Sequence, residues 1–87
     1  MERRIDDEAP DLDVVTVYDV AHIPTYAALL IAEAEGADWC DVARVSLNID
    51  PDREPERARR AWASHLARAR WMATSGCGEL LRSDLLQ

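Results

Sequence analysis

Apolar residues recur at helical spacing along most of the chain, and this pattern predicts an all-α fold. The first predicted helix begins at Asp19 or His22, with Asp19 as a candidate N-cap, and ends at Glu35. Gly36 follows at the position where a glycine commonly terminates a helix. Residues 26–32 are apolar on every side, which is typical of a helix that is sandwiched in a core or keeps one face for a partner.

Two further helices flank a long connection. The second predicted helix runs from Asp38 to about Leu47, and the third runs from Pro55 to Met72. Pro51 lies between them and disfavours helical geometry at the residue before it, so the connection is longer than the 3–4 residues of a tight helix-turn-helix.

After Met72 the third helix closes at Ser75 and Gly76, and a short fourth helix at residues 78–83 is expected to cover the core with Leu80 and Leu81. The pattern therefore predicts a small four-helix domain, a helix-turn-helix variant with an extended turn between its second and third helices.

The third helix has two chemically different sides. At about 100° per residue, its core side comprises Ala58, Trp62, His65, Leu66, Ala69, Met72 and Ala73. The opposite side carries the arginines Arg57, Arg59, Arg60, Arg68 and Arg70. Between these arginines runs an apolar strip of Ala63, Ala67 and Trp71. The strip is a candidate surface for a partner or for packing of the fourth helix.

Residues 1–15 form a separate region in front of the helical domain of residues 16–87. They are polar, acidic and interrupted by Pro10, so we predict a flexible or loosely docked arm. The run Val14 to Val17 favours extended backbone but is too short to form a sheet alone.

The charges are divided unevenly along the chain. Residues 1–56 contain fifteen acids and four arginines, a net charge of −11, whereas residues 57–87 contain two acids and six arginines, a net charge of +4. The arginine-bearing helix is typical of DNA binding through phosphate contacts. An excess of acids in the same molecule repels the phosphate backbone, so DNA binding by this helix remains only the alternative function.

The sequence contains no motif typical of an enzyme, a metal or redox site, or a membrane protein. No catalytic Ser/His/Asp order, glycine-rich phosphate loop or zinc-protease motif is present, which predicts a non-enzymatic protein without a cofactor or small-molecule ligand. Cys40 and Cys77 belong to no C-x-x-C pair, so reduced thiols are favoured over a metal or redox site. No apolar run of 18 residues and no signal peptide occurs, which predicts a cytoplasmic location without membrane contact.

Residues 16–81 resemble a known family. The similarity lies in Tyr18-Asp19, His22, Thr25-Tyr26, Leu29-Leu30, the run from Ala32 to Trp39, Ile49-Asp50-Pro51, the block from Arg53 to Met72, Gly76 and Leu80-Leu81. This pattern resembles the RovC-like DNA-binding domain family of proteobacterial regulators, which is common on mobile elements. The resemblance implies a helix-turn-helix variant with an extended turn, found in activators and in their inhibitors.

Within that family, a stand-alone acidic copy is similar to the QseM-type antiactivators of integrative and conjugative elements, which are under quorum-sensing control. The chain departs from the family pattern at Gly76-Cys77-Gly78-Glu79, where an aromatic residue and a base are lost, and at Ala28 and Ile31, which replace polar residues. The resemblance implies an antiactivator that binds a transcriptional activator, through the activator's N-terminal partner domain, and blocks its control of excision and conjugative transfer genes. The predicted partner-binding residues are Tyr26, Ala28, Ile31, Ala63, Ala67 and Trp71.

Overall fold

Four α-helices and a closing π-helical turn make up the computed structural model, which describes residues 5–76 apart from the side chain of Ser75. The helices are α1 (Val17–Ala21), α2 (Ile23–Ala34), α3 (Trp39–Ser46) and α4 (Pro55–Trp71), and the π-helical turn is Met72–Gly76. The fold is all-α, as predicted, with no β-strand within residues 5–76. The predicted fourth helix at residues 78–83, with Leu80 and Leu81, lies outside the described residues.

The first predicted helix is divided in two, because the chain bends at His22 between α1 and α2. The N-cap of α1 is Thr16, and the proposal that Asp19 caps the helix is wrong. Asp19 instead stands at the third helical position, where its carboxylate accepts hydrogen bonds from the backbone and hydroxyl of Thr16. The hydroxyl of Thr16 accepts a bond from the backbone of Asp19 in return, which completes a capping box.

The end of α2 follows the prediction. Gly36 has a φ of 73°, in the left-handed region that a glycine adopts without a side-chain clash. The backbone N–H of Gly36 donates to the carbonyl of Glu33, and that of Ala37 donates to the carbonyl of Ala32. These two bonds form a Schellman motif that satisfies the last carbonyls of the helix.

The second and third predicted helices correspond to α3 and α4 nearly residue for residue. Asp38 is the N-cap of α3, with its carboxylate accepting a bond from the backbone of Cys40. Residues 47–54 form the extended connection to α4, in which Asn48 has a positive φ of 57° and Ile49 is buried. The predicted helical boundaries are confirmed here.

The core consists of two apolar clusters arranged along α4. One cluster contains Tyr26, Leu29, Val42, Leu66, Ala69 and Met72. The other contains Ala43, Leu47, Ile49, Ala58 and Ala61. Trp62 packs against both clusters. Four of the core alanines are fully buried, so α4 lies close against its neighbours.

The arm approaches this helical body from outside. Ile5 packs against the second cluster, and the chain then continues without helix to Thr16. The contacts that residues 6–14 make with α4 form part of the candidate site.

Candidate arginine and partner surfaces

The acidic arm supplies ion-pair partners to two arginines in the first half of α4. The Nε atom of Arg57 lies 2.6 Å from a carboxylate oxygen of Asp7, and its Nη1 atom lies 2.9 Å from a carboxylate oxygen of Glu54. The Nε atom of Arg60 lies 3.7 Å from a carboxylate oxygen of Glu8. The neighbouring acids raise the pKa of Arg57, chiefly through the hydrogen bond to Asp7. The chain thus neutralises this part of α4 itself.

The other exposed arginines of α4 also contact groups of the same chain. The guanidinium of Arg59 lies over two indole rings, 5.0 Å from the centroid of Trp39 and 4.8 Å from that of Trp62. These are cation–π distances. Arg70 forms an ion pair with Glu33 of α2. The exposed arginines on the predicted arginine side of this helix therefore contact groups of their own chain.

Backbone hydrogen bonds fasten the arm beside these ion pairs. The N–H of Asp6 donates to the hydroxyl of Tyr18, and the N–H of Ala9 donates to the hydroxyl of Ser64, each over 3.0 Å. Residue numbers rise together in the arm and in α4, since Asp7 meets Arg57 and Ala9 meets Ser64. The arm thus runs in the same direction as α4 and meets successive turns of the helix.

Arg68 is buried, unlike the other four arginines of α4. Its predicted place on a DNA-binding surface is therefore corrected. Its side chain is 4% exposed and forms two hydrogen bonds with the carboxylate of Asp19, at 3.0 and 2.7 Å. It also donates to the carbonyl of Leu12 at 2.5 Å and to that of Val14 at 2.7 Å. Because its N–H groups bond to Asp19 and to two carbonyls of the arm, Arg68 holds the arm against the helices.

The carboxylate of Asp19 is the acceptor at the centre of this network. The hydroxyl of Tyr26 donates to it over 2.8 Å, in addition to the bonds from Thr16 and Arg68. Burial by itself raises the pKa of Asp19, but the hydrogen bonds outweigh burial and hold the pKa well below its usual range. Burial and the bond to Asp19 raise the pKa of Tyr26. Asp19 is thus a buried carboxylate that stays ionised.

Tyr26 is buried by the same network and does not belong to a partner surface. Its side chain is 3% exposed and is part of the first core cluster. The prediction for Tyr26 is therefore corrected. The sequence pattern placed it next to exposed apolar residues but gave no sign of its hydroxyl partner.

The other residues predicted on the first helix remain accessible to different degrees. Ile31 is 60% exposed, whereas Ala28 is half-buried. The structure adds neighbours at helical spacing on α2 that the prediction omitted, Ile23 and Ala27, both of which are exposed. Ile23, Ala27 and Ile31 are referred to below as the α2 apolar strip.

The apolar strip predicted on α4 is only partly open. Ala63 and Ala67 are exposed, while Trp71 is half-buried and packs against the first core cluster. The guanidinium of Arg68 lies 3.9 Å from the centroid of the Trp71 ring. Ala67 and Trp71 also line a groove whose other wall is the arm at residues 8–13. A partner at this strip would therefore contact the arm as well.

His65 is buried in a hydrogen-bonded position, as predicted for a core histidine. Its Nδ1 atom lies 2.7 Å from the carbonyl oxygen of Ala61, which accepts a hydrogen bond from it. Its Nε2 atom lies 2.6 Å from the hydroxyl of Tyr18 and accepts from that group in the neutral ring. Burial lowers the pKa of His65. This arrangement is a structural one that favours the neutral imidazole.

Cys40 is a half-buried free thiol, and Cys77 lies outside the described residues. Among residues 5–76, no helix is both long enough and apolar enough to cross a membrane.

Two comparisons with known proteins identify no relative of this chain. No protein-family model matches the chain, and a search of curated proteins finds no match to it. The resemblance to RovC-like DNA-binding domains therefore stays a prediction made from the residues.

Proposed function

We propose that this chain is a non-enzymatic antiactivator, which binds a transcriptional activator and does not itself bind DNA. The observation that carries the proposal is the internal engagement of the α4 arginines. Arg57 and Arg60 face acids of the arm, Arg59 faces two indoles, and Arg70 pairs with Glu33. Phosphate contacts supply most of the affinity of proteins for DNA, so a helix whose cations already have partners is a poor DNA ligand.

The α2 apolar strip supplies the surface for the partner in this proposal. Ile23 and Ile31 are 42% and 60% exposed, and Ala27 lies between the two isoleucines on the same side of the helix. Adjacent exposed apolar residues on one helix face favour a protein interface, in which they are removed from water. The proposed partner is an activator of the RovC-like family, whose partner domain the chain would occupy in place of the activator's own DNA-binding domain.

The proposal is tested by co-purification. A tagged form of the chain is co-expressed with the activators encoded near its gene, and we expect it to retain one of them. Ile31→Asp places a charge in the strip and should abolish retention. Val45→Asp is the matched control, because Val45 is 85% exposed on α3 and the change introduces the same charge. Equal retention by both variants, or equal loss, would contradict the strip as the binding surface.

Direct regulation through DNA is the second candidate function. It is favoured by the partial exposure of three α4 arginine side chains, which is 42% for Arg57, 57% for Arg60 and 58% for Arg70. Exposed ion pairs contribute only about 0–1 kcal/mol each, so a strong polyanion would compete for these cations. Tight binding of the unmodified protein to a promoter fragment, weakening steeply with salt, would favour this function over antiactivation.

A further inference from the structure

We propose that the acidic arm is an electrostatic mask, which keeps α4 from binding the phosphate backbone of nucleic acid. The proposal concerns how this chain avoids DNA, and it holds or fails independently of any activator that the chain binds.

The first step of the argument is the match between the arm and α4. Asp7 and Glu8 are consecutive acids, and they meet Arg57 and Arg60, which lie three residues apart on one side of the helix. The arm thus places two carboxylates where a phosphate backbone would otherwise approach these arginines. Residues 5–11 contain four acids and no basic residue, so this segment repels the phosphate backbone of nucleic acid.

The second step is the way the arm is held. Contacts that do not depend on the two acids fix its position on both sides of them: Ile5 packs against the second core cluster, and Arg68 binds the carbonyls of Leu12 and Val14. Ala9 adds a backbone bond to Ser64. The positions of Asp7 and Glu8 are therefore set by apolar and backbone contacts, and their charges are not needed to dock the arm.

The third step is the small energy of the ion pairs themselves. The side chains of Asp7 and Glu8 are 54% and 66% exposed, and pairs of this kind contribute little to stability. A pair of acids that adds little to the fold but cancels the charge of two outward-facing arginines has its main effect on what those arginines bind.

The experiment compares two double variants with the same change in net charge. Asp7→Asn with Glu8→Gln removes the proposed mask. Asp41→Asn with Asp52→Asn is the matched control, because these two exposed acids pair with Arg44, which lies on α3 and not on α4. Binding to a labelled 20-base-pair duplex of mixed sequence is followed by fluorescence anisotropy over a series of low salt concentrations.

We expect the Asp7/Glu8 variant to bind the duplex at least fivefold more tightly than the control variant at the lowest salt. Its slope of log affinity against log salt should be steeper by roughly two, since about two more phosphates would be neutralised. Equal binding by the two variants would overturn the proposal, because only total charge would then matter. Absence of binding by both would overturn it as well.

A folding control accompanies these measurements. The backbone N–H of Ala9 donates to Ser64, so protection of this N–H from hydrogen exchange would report whether the arm is still docked. We expect this protection to persist in the Asp7/Glu8 variant. Loss of this protection while α4 stays folded would contradict the claim that the two charges are dispensable for docking.

Discussion

Arg68 and Asp19 form a buried ion pair that ties α4 to α1, with Arg68 Nη2 2.7 Å from Asp19 Oδ2 and both side chains withdrawn from solvent. The same guanidinium holds the carbonyls of Leu12 and Val14, so the pair also fixes the end of the arm. Sequence periodicity places Arg68 among the surface arginines, and only the tertiary structure shows that it is buried and holds the arm in place.

Removing one member of this pair should destabilise the protein strongly. Arg68→Met leaves the carboxylate of Asp19 buried without its main partner, and we expect a loss of about 3–5 kcal/mol in the free energy of unfolding. Arg70→Met is the matched control, because Arg70 lies two residues along the same helix in an exposed pair with Glu33, and it should cost about 1 kcal/mol or less. Urea unfolding followed by circular dichroism measures both. Similar losses for the two variants would contradict the structural role of Arg68.

The end of α2 should depend on the left-handed backbone at Gly36. A Cβ atom there would meet no atom within 4 Å, so the cost of Gly36→Ala comes from backbone conformation alone. We expect a loss of about 1 kcal/mol in the free energy of unfolding. Gly36→Asn should cost less, since asparagine tolerates positive φ better than alanine does. Thermal unfolding of the two variants side by side checks the order, and an alanine variant as stable as wild type would refute it.

Acid should weaken the fold through His65. The pKa of His65 is lowered by burial from its ordinary value of 6.5, so the unfolded chain binds a proton more readily than the folded chain does. Stability is therefore unaffected by this group well above pH 6.5 and falls as the pH drops below it. Because the pKa of Asp19 is lowered in the folded protein, the stability that Asp19 contributes is lost only at more acidic pH, below about 4.

Unfolding free energies at pH 7.5 and pH 5.5 test this expectation in wild type and in His65→Gln. The ionisable side chains near His65, namely Tyr18, Tyr26, His22 and Asp6, are present in both proteins. We expect a smaller decrease between the two pH values in the variant. An unchanged decrease would assign the pH dependence to another group.

Close approach of the helices should make α4 sensitive to the size of its buried alanines. Ala61 is fully buried in the second core cluster, whereas Ala63 is exposed two residues later. Ala61→Leu should cost about 1–3 kcal/mol through overpacking, and Ala63→Leu should change stability by less than about 0.5 kcal/mol. Chemical denaturation distinguishes them, and equal effects would contradict the placement of the α4 core face.

The helices were predictable because their signals are local. Gly36, Asp38 and Pro55 mark helix ends through backbone preferences that act over a few residues, and each lies where it was expected. Asp19 was misassigned as an N-cap because two polar residues, Thr16 and Asp19, both suit a helix start and only one holds that position.

The candidate surfaces were less predictable because they depend on contacts between distant residues. Arg68 lies 49 positions from Asp19, and Arg57 lies 50 positions from Asp7. A helical wheel assigns Arg68 to the solvent and Tyr26 to a free face, since it carries no information on the arm or on a buried hydroxyl partner. The concentration of acids in residues 6–8 was visible in the sequence, but its position over Arg57 and Arg60 was not.

A promoter-release assay tests antiactivation most directly. The purified activator that co-purifies with the chain is bound to a labelled fragment of its promoter, and the chain is then added at increasing concentration. We predict that the chain alone leaves the fragment free, that it removes the activator from the DNA, and that Ile31→Asp fails to do so while Val45→Asp succeeds. Binding of the fragment by the chain alone, or an activator–DNA complex that persists when the chain is in excess, would contradict the account.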